Sequence, residues 1–167
     1  MNNERRIEIY TDGSCPGNQS QNPNGGYGAV VIMNEGVFEL SQGYICTTNN
    51  RMELRAVIAA LQIIPAGSDL IIYSDSKYVI DAFNCDWICN WQSNGWRNSK
   101  KKAVLNQDLW AELLEVLHGH NVTWQWVKGH ADNALNDRAD ALANIAAISG
   151  SLLPDVGATT ANIVGNY

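Results

Sequence analysis

Ile7, Ile9 and Thr11 alternate with Glu8, Tyr10 and Asp12, a period of two that predicts a half-buried strand ending near the aspartate. The stretch "NPNGGYG" reads as a glycine-rich loop. The runs "AVVIM" and "VFELSQGYI" follow, separated by "NEG", and predict an antiparallel hairpin. From Asn50 the period lengthens: Leu54, Val57, Ile58 and Leu61 recur at helical spacing until "PAG" at Pro65 to Gly67 ends the helix. "LIIY", Leu70 to Tyr73, lacks alternation and suits a central strand covered on both faces. Ser76 is placed to cap a helix through "KYVIDAF", and "NQDLWAELLEVL" is a further amphipathic helix. "NVTWQWV" alternates as a last strand, and "NDRADALANIAA" predicts the final helix.

Three strands, helix, strand, helices, strand and helix make an α/β order, with the strands after the hairpin running parallel to the first through helical crossovers. The chain of 167 residues is one domain's worth, 46% apolar and 17% charged. The domain is expected over residues 1–150, with 151–167 a tail of Gly, Thr, Asn and Pro among scattered apolar residues. "MNNERRIEIY" carries two charges of each sign and no apolar leader, and no long uncharged apolar run exists, so a cytoplasmic protein without a membrane partner is expected. Cys15, Cys46, Cys85 and Cys89 form no CxxC pair, which argues against a disulfide framework or a zinc ribbon.

The acids change this picture. Asp12 in "YTDGSC" and Asp75 in "YSDSKY" each follow an apolar strand, at the carboxyl ends where open α/β sheets carry their sites. An Asp-Gly pair alone is an ordinary turn. Glu53 lies in the first turn of its helix, where the helix dipole by itself would favour an acid. Asp137 and Asp140 sit three apart on the last helix, His130 lies in the polar loop before it, and each by itself reads as solvated surface. Together, carboxylates that cannot all ionise side by side without a counter-cation are what a site for Mg²⁺ or Mn²⁺ requires. The net charge of −6 opposes bulk attraction to nucleic acid, yet no acid occurs between Asp86 and Asp108, where Arg97, Lys100, Lys101 and Lys102 lie among Trp87, Trp91 and Trp96.

"YTDGSCPGN", "GGYGAVV", "TTNNRMELRAV", "YSDSKYV", "WVKGHAD" and "NDRADALA" resemble, in order and spacing, the bacterial type 1 ribonucleases H, over about Ile7 to Ala147. The resemblance implies a ribonuclease H-like α/β fold: a mixed five-stranded sheet, three strands antiparallel and then parallel strands, flanked by helices. It implies an endonuclease that cuts the RNA strand of RNA/DNA hybrids, leaving a 5′ phosphate and a 3′ hydroxyl, and acting as a monomer. Two Mg²⁺ ions, for which Mn²⁺ can substitute, would be held by Asp12, Glu53, Asp75 and Asp140, the "NDRADALA" match selecting Asp140 over Asp137. His130 matches the family's mobile catalytic histidine.

By the same resemblance, the strand carrying the 2′ hydroxyl would be read by Gly13, Ser14, Cys15, Asn18, Asn49, Asn50 and Arg51. Lys77 stands where relatives often carry a substrate-contacting glutamine. The segment from Trp87 to Lys102 matches a protruding handle against the DNA strand, where Trp87, Trp91 and Trp96 would meet sugars and bases and Lys100, Lys101 and Lys102 phosphates. Thr48 and Asn106 fall where a DNA phosphate pocket forms.

Overall fold

The computed structural model describes residues 6–17 and 23–158. Among the described residues, six strands form one sheet: β1 (Ile7–Ser14), β2 (Gly25–Met33), β3 (Gly36–Ile45), β4 (Asp69–Ser74), β5 (Asn121–Trp126) and β6 (Leu152–Pro154). Their order is β5-β4-β1-β2-β3-β6. β1, β2 and β3 pair antiparallel, whereas β4 runs parallel to β1 and β5 parallel to β4. The helices are α1 (Asn49–Gln62), α2 (Lys77–Asn84), α3 (Trp87–Asn94), α4 (Gln107–Leu117) and α5 (Ala134–Ala147). No helix among the described residues is long and apolar enough to cross a membrane.

Strand alternation sorts the core into two layers. Ile9, Ala29, Val31, Leu70 and Ile72 join Leu54, Val57 and Leu61 of α1 and Trp110 and Leu113 of α4 on one face. Tyr10 and Val30 point to the other face and pack on Ala139, Leu135 and Leu142 of α5. The helices α1, α2 and α5 each start on a side-chain cap: Thr48 accepts from Arg51 N at 3.2 Å, Ser76 from Val79 N at 3.4 Å and Asn133 from Asn136 N at 3.1 Å. The cap at Asn133 starts α5 at Ala134, two residues before the start that the apolar pattern predicts.

The sheet departs from the expected five strands. Leu152–Pro154 adds a sixth, parallel to β3, and the chain continues to Asp155, whose carboxylate is buried against Arg51. "NPNGGYG" is likewise not all loop, because β2 begins at Gly25. Its glycines are a packing surface: a Cβ on Gly28 would lie 2.1 Å from the Ala139 carbonyl oxygen of α5. Opposite it, Ala139 and Ala143 are themselves wholly buried. Backbone thus meets backbone, and α5 seats low enough to bring its polar face to the end of β1.

Gly28→Ala is expected to lift α5 and destabilise the fold by about 3 kcal/mol, a fall in Tm of about 8 °C. Thermal unfolding followed by circular dichroism measures it, and an unchanged Tm would contradict this packing.

Candidate active site

Parallel pairing of β1 with β4 sets Tyr10 beside Tyr73 and Thr11 beside Ser74. The two tyrosine rings stack at 4.6 Å on the α5 side of the sheet. One step beyond this register, Asp12 and Asp75 emerge next to each other on that same side. Glu53 comes from α1 across a glycine contact: a Cβ on Gly13 would lie 2.5 Å from the Glu53 amide nitrogen, so only glycine lets the helix approach. One carboxylate oxygen from each of Asp12, Glu53 and Asp75 lies within 4.8 Å of the others. Asp140, one turn after Asn136 on α5, reaches the Asp12 carboxyl.

Burial pushes the Asp12 carboxyl up to about 8, and the charge of Asp75 and the contact with Asp140 add to it. Glu53 is raised well above the usual carboxylate range by burial and then by Asp12 and Asp75. Asp75 is raised by burial too, against a hydrogen bond from Asn136 and the charge of His130. The Gly13 amide donates to Asp12 Oδ1 at 2.8 Å, but Glu53 Oε2 is buried without a hydrogen-bond partner. Clustered hard oxygens, one of them orphaned, with protonation forced by crowding, fit a divalent cation in the place of those protons.

Around these acids an open cleft is lined by Gly13, Ser14, Cys15, Asn49, Asn50, Ser76, His130, Asp140 and Asn144. His130 is exposed, on a left-handed turn with φ of 55°. Gly129 lets that turn pass over Asp75, since a Cβ there would lie 2.6 Å from Asp75 Oδ2. Asp137 is exposed in the first turn of α5 and is not part of the cleft lining. Lys77 sets its ammonium 5.2 Å from the centre of the Trp126 ring, and the Trp126 indole donates to the Asp75 carbonyl at 3.1 Å.

Several expected contacts fall elsewhere. The side chain of Arg51 is fully buried: it donates to Asp155 Oδ2 at 2.7 Å and to Asp108 Oδ2 at 2.7 Å, so it holds the fold together and presents no guanidinium to a substrate. Thr48 and Asn106 meet through Arg51, whose Nη1 donates to Asn106 Oδ1 at 3.3 Å, but both bury their side chains. Cys15 is buried with its thiol donating to the Thr47 carbonyl, which leaves the backbone as its route to a ligand. Asn18 lies outside the described residues.

The handle is α3 and the turn after it, closed by a bridge between Arg97 and Ala103. Trp91 packs edge-on against Trp110 at 5.5 Å and is a support, with Trp87 and Trp96 ranged on either side of it at 6.2 and 6.0 Å. Lys100, Lys101 and Lys102 are exposed. Two residues of the site escape the motif reading. Asn136 is 1% exposed and hydrogen-bonds Asp75, and Asn144 donates to Asp140 Oδ1 at 3.0 Å. Both stand four residues from Asp140, a helical spacing the sequence does carry.

The RNase H family model matches residues 4–148. A ribonuclease H of Pseudoalteromonas atlantica is 52% identical over 153 residues, which cover 92% of this chain and 97% of the relative. Among solved structures, the crystal structure of a type 1 RNase H with the type 2 active-site motif aligns with a TM-score of 0.73 at 30% identity, covering 98% of this chain and 85% of that one. The foamy viral protease-reverse transcriptase in complex with RNA/DNA hybrid aligns with a TM-score of 0.67 at 25% identity, over 87% of this chain and 20% of that one.

Because burial, with the neighbouring acids adding to it, raises Asp12 and Glu53 above their unfolded values, folding takes up protons. The resulting stability is whole below about pH 4 and is lost as the pH rises through about 8, the Asp12 value. In a chelator, Tm is expected to fall between pH 6 and pH 8.5. Asp12→Asn should flatten that fall and raise Tm at pH 8.5 by about 3 °C or more. Added Mg²⁺ should raise the unsubstituted protein's Tm more at pH 8.5 than at pH 6. Parallel pH profiles for the two proteins in chelator would contradict the crowding.

Proposed function

This chain belongs to the ribonuclease H family, and from that premise we propose that it hydrolyses the RNA strand of RNA/DNA hybrids, leaving 5′-phosphate and 3′-hydroxyl ends. The observation that carries the reading is the set of three carboxylate oxygens within 4.8 Å of one another in an open cleft that also holds Asp140 and His130. Asp12, Glu53, Asp75 and Asp140 would hold two Mg²⁺ ions. When bound, such a pair supplies activation of a water and stabilisation of the departing 3′ oxygen.

The chain's own groups do the rest. Asp12, kept in orientation by the Gly13 amide, is one of the four carboxylates that would hold the ions. Asn136 fixes the rotation of Asp75 from behind. His130, solvent-facing at the edge of the cleft, carries a proton between the cleft and water and holds no metal. Gly13, Ser14, Asn49 and Asn50 border the acids and read the strand that bears 2′ hydroxyls. Lys77, oriented by Trp126, offers a cation to a phosphate beside Asp75. The exposed lysines of the handle lie against the DNA strand. The foamy viral relative, solved with an RNA/DNA hybrid, supports this choice of substrate.

Labelled RNA/DNA hybrid, RNA duplex and DNA duplex incubated with Mg²⁺ test the proposal. Only the RNA of the hybrid should be cut, chelation should stop the reaction, and cleavage of the DNA duplex at a similar rate would overturn the assignment. Asp140→Asn should cost orders of magnitude in rate, and Asp137→Asn, on the exposed turn, no more than about twofold. Equal losses would place the fourth carboxylate at the wrong residue.

Replacing Lys100, Lys101 and Lys102 with alanine takes positive charge away from the DNA phosphates, far from the chemistry. KM should rise with kcat nearly unchanged, and each phosphate deprived of its lysine should lower the slope of log affinity against log salt by up to about 0.9. An unaltered KM and salt dependence would show these lysines to be solvent-facing only.

A further inference from the structure

Along the cleft side of α5, polar residues recur every turn: Asn136, Asp140 and Asn144. Asn136 serves Asp75. Asn144 makes two bonds in opposite directions. Its Nδ2 donates to Asp140 Oδ1 at 3.0 Å, and its Oδ1 accepts the hydroxyl proton of Ser14. A single amide on α5 therefore joins a residue at the end of β1, where the nucleic acid strand would sit, to the carboxylate that the helix brings to the cleft.

Asp140 needs such support more than Asp12 and Glu53 do. Asp12 and Glu53 are buried within the protein, but Asp140 is half-exposed and belongs to an element on the opposite side of the sheet from α1. Its other contact is the Asp12 carboxyl. Asn144 is the neutral group whose amide fixes the rotation of Asp140. Holding Oδ1 leaves Oδ2 for the ion. Ser14 commits its only proton to Asn144, so its oxygen faces the cleft purely as an acceptor, suited to a 2′ hydroxyl donor.

We propose that Asn144 is a positioning residue that couples Ser14 to Asp140, so that the divalent cation and the ribose-bearing strand each strengthen the other's binding. The coupling rests on the ribonuclease reading above. Linkage makes it reciprocal: whatever factor the strand contributes to cation affinity, the cation contributes to strand affinity. An outer partner of a metal-binding carboxylate contributes about tenfold or more to metal affinity, which sets the size of the effect.

Binding of Mn²⁺ to the substrate-free protein, followed by the electron paramagnetic resonance signal of the free ion, tests the idea without turnover. Asn144→Ala should weaken Mn²⁺ binding about tenfold and raise the Mg²⁺ concentration that half-saturates hybrid cleavage by a similar factor. Ser14→Ala, which touches no carboxylate, should weaken Mn²⁺ binding by a smaller factor of about three, because Asn144 loses its anchor. A surface hydrogen bond with no coupling would leave Mn²⁺ affinity unchanged in both variants. Tm in chelator checks that each is folded, and Asn144→Gln, which keeps the amide on a longer arm, should recover part of the Mn²⁺ affinity. Wild-type Mn²⁺ affinity in folded Asn144→Ala would overturn the coupling alone. An unsubstituted protein that binds Mn²⁺ and leaves hybrid uncut would instead overturn the ribonuclease reading.

Discussion

Asp12, Glu53 and Asp75 must be held against their own repulsion. At the observed spacing each ionised pair would repel by at least about 3 kcal/mol at an effective dielectric near 20, before the cost of taking charge out of water. A free chain would move these groups apart. The fold prevents this by fixing each acid to a different rigid element: two ends of neighbouring parallel strands and the second turn of a helix pressed on a glycine. The strain appears as raised proton affinity, and the same strain becomes affinity for a cation. Site and stability are thereby opposed in the metal-free protein and aligned in the loaded one.

What keeps α1 in its place is a second cluster of charge, this one neutralised. Arg51 is paired with Asp108 in the first turn of α4 and with Asp155 after β6, and Thr47 and Arg55 also donate to Asp155. Burial alone would raise the Asp155 carboxyl, but these donors hold it below its ordinary value. Removing one partner of so buried a group costs about 3–5 kcal/mol, since the other charge is then left alone. The segment after α5 is therefore part of the scaffold: it fastens the helix that carries Glu53 from the side opposite the cleft.

Much of this was legible beforehand because the signals are local. Alternation gave β1, an unbroken apolar run gave the strand at Leu70, helical spacing gave α1, and the acids at strand ends stood out against apolar runs. The sites read from motif order converge in one cleft for Asp12, Glu53, Asp75, Asp140 and His130. Arg51 shows where that reading fails. It follows Asn49 and Asn50 in sequence, but a helix turns about 100° per residue, so its side chain leaves the cleft and enters the interior. The glycines of β2 failed differently: glycine is a turn signal in isolation, and here it is a seat for α5 that only a helix more than a hundred residues later makes necessary.

The sequence by itself determined most of the elements, the acids and the family, because periodicity, caps and motif order are written within a few turns of chain. Only the tertiary structure decided which oxygens lie within reach of one another, which polar groups are consumed in the interior, and that the last segment closes on Arg51 across 104 positions. Those outcomes depend on strand register and on the height at which helices meet the sheet. Such contacts join residues far apart in the chain, and no local pattern encodes a distance that packing alone sets.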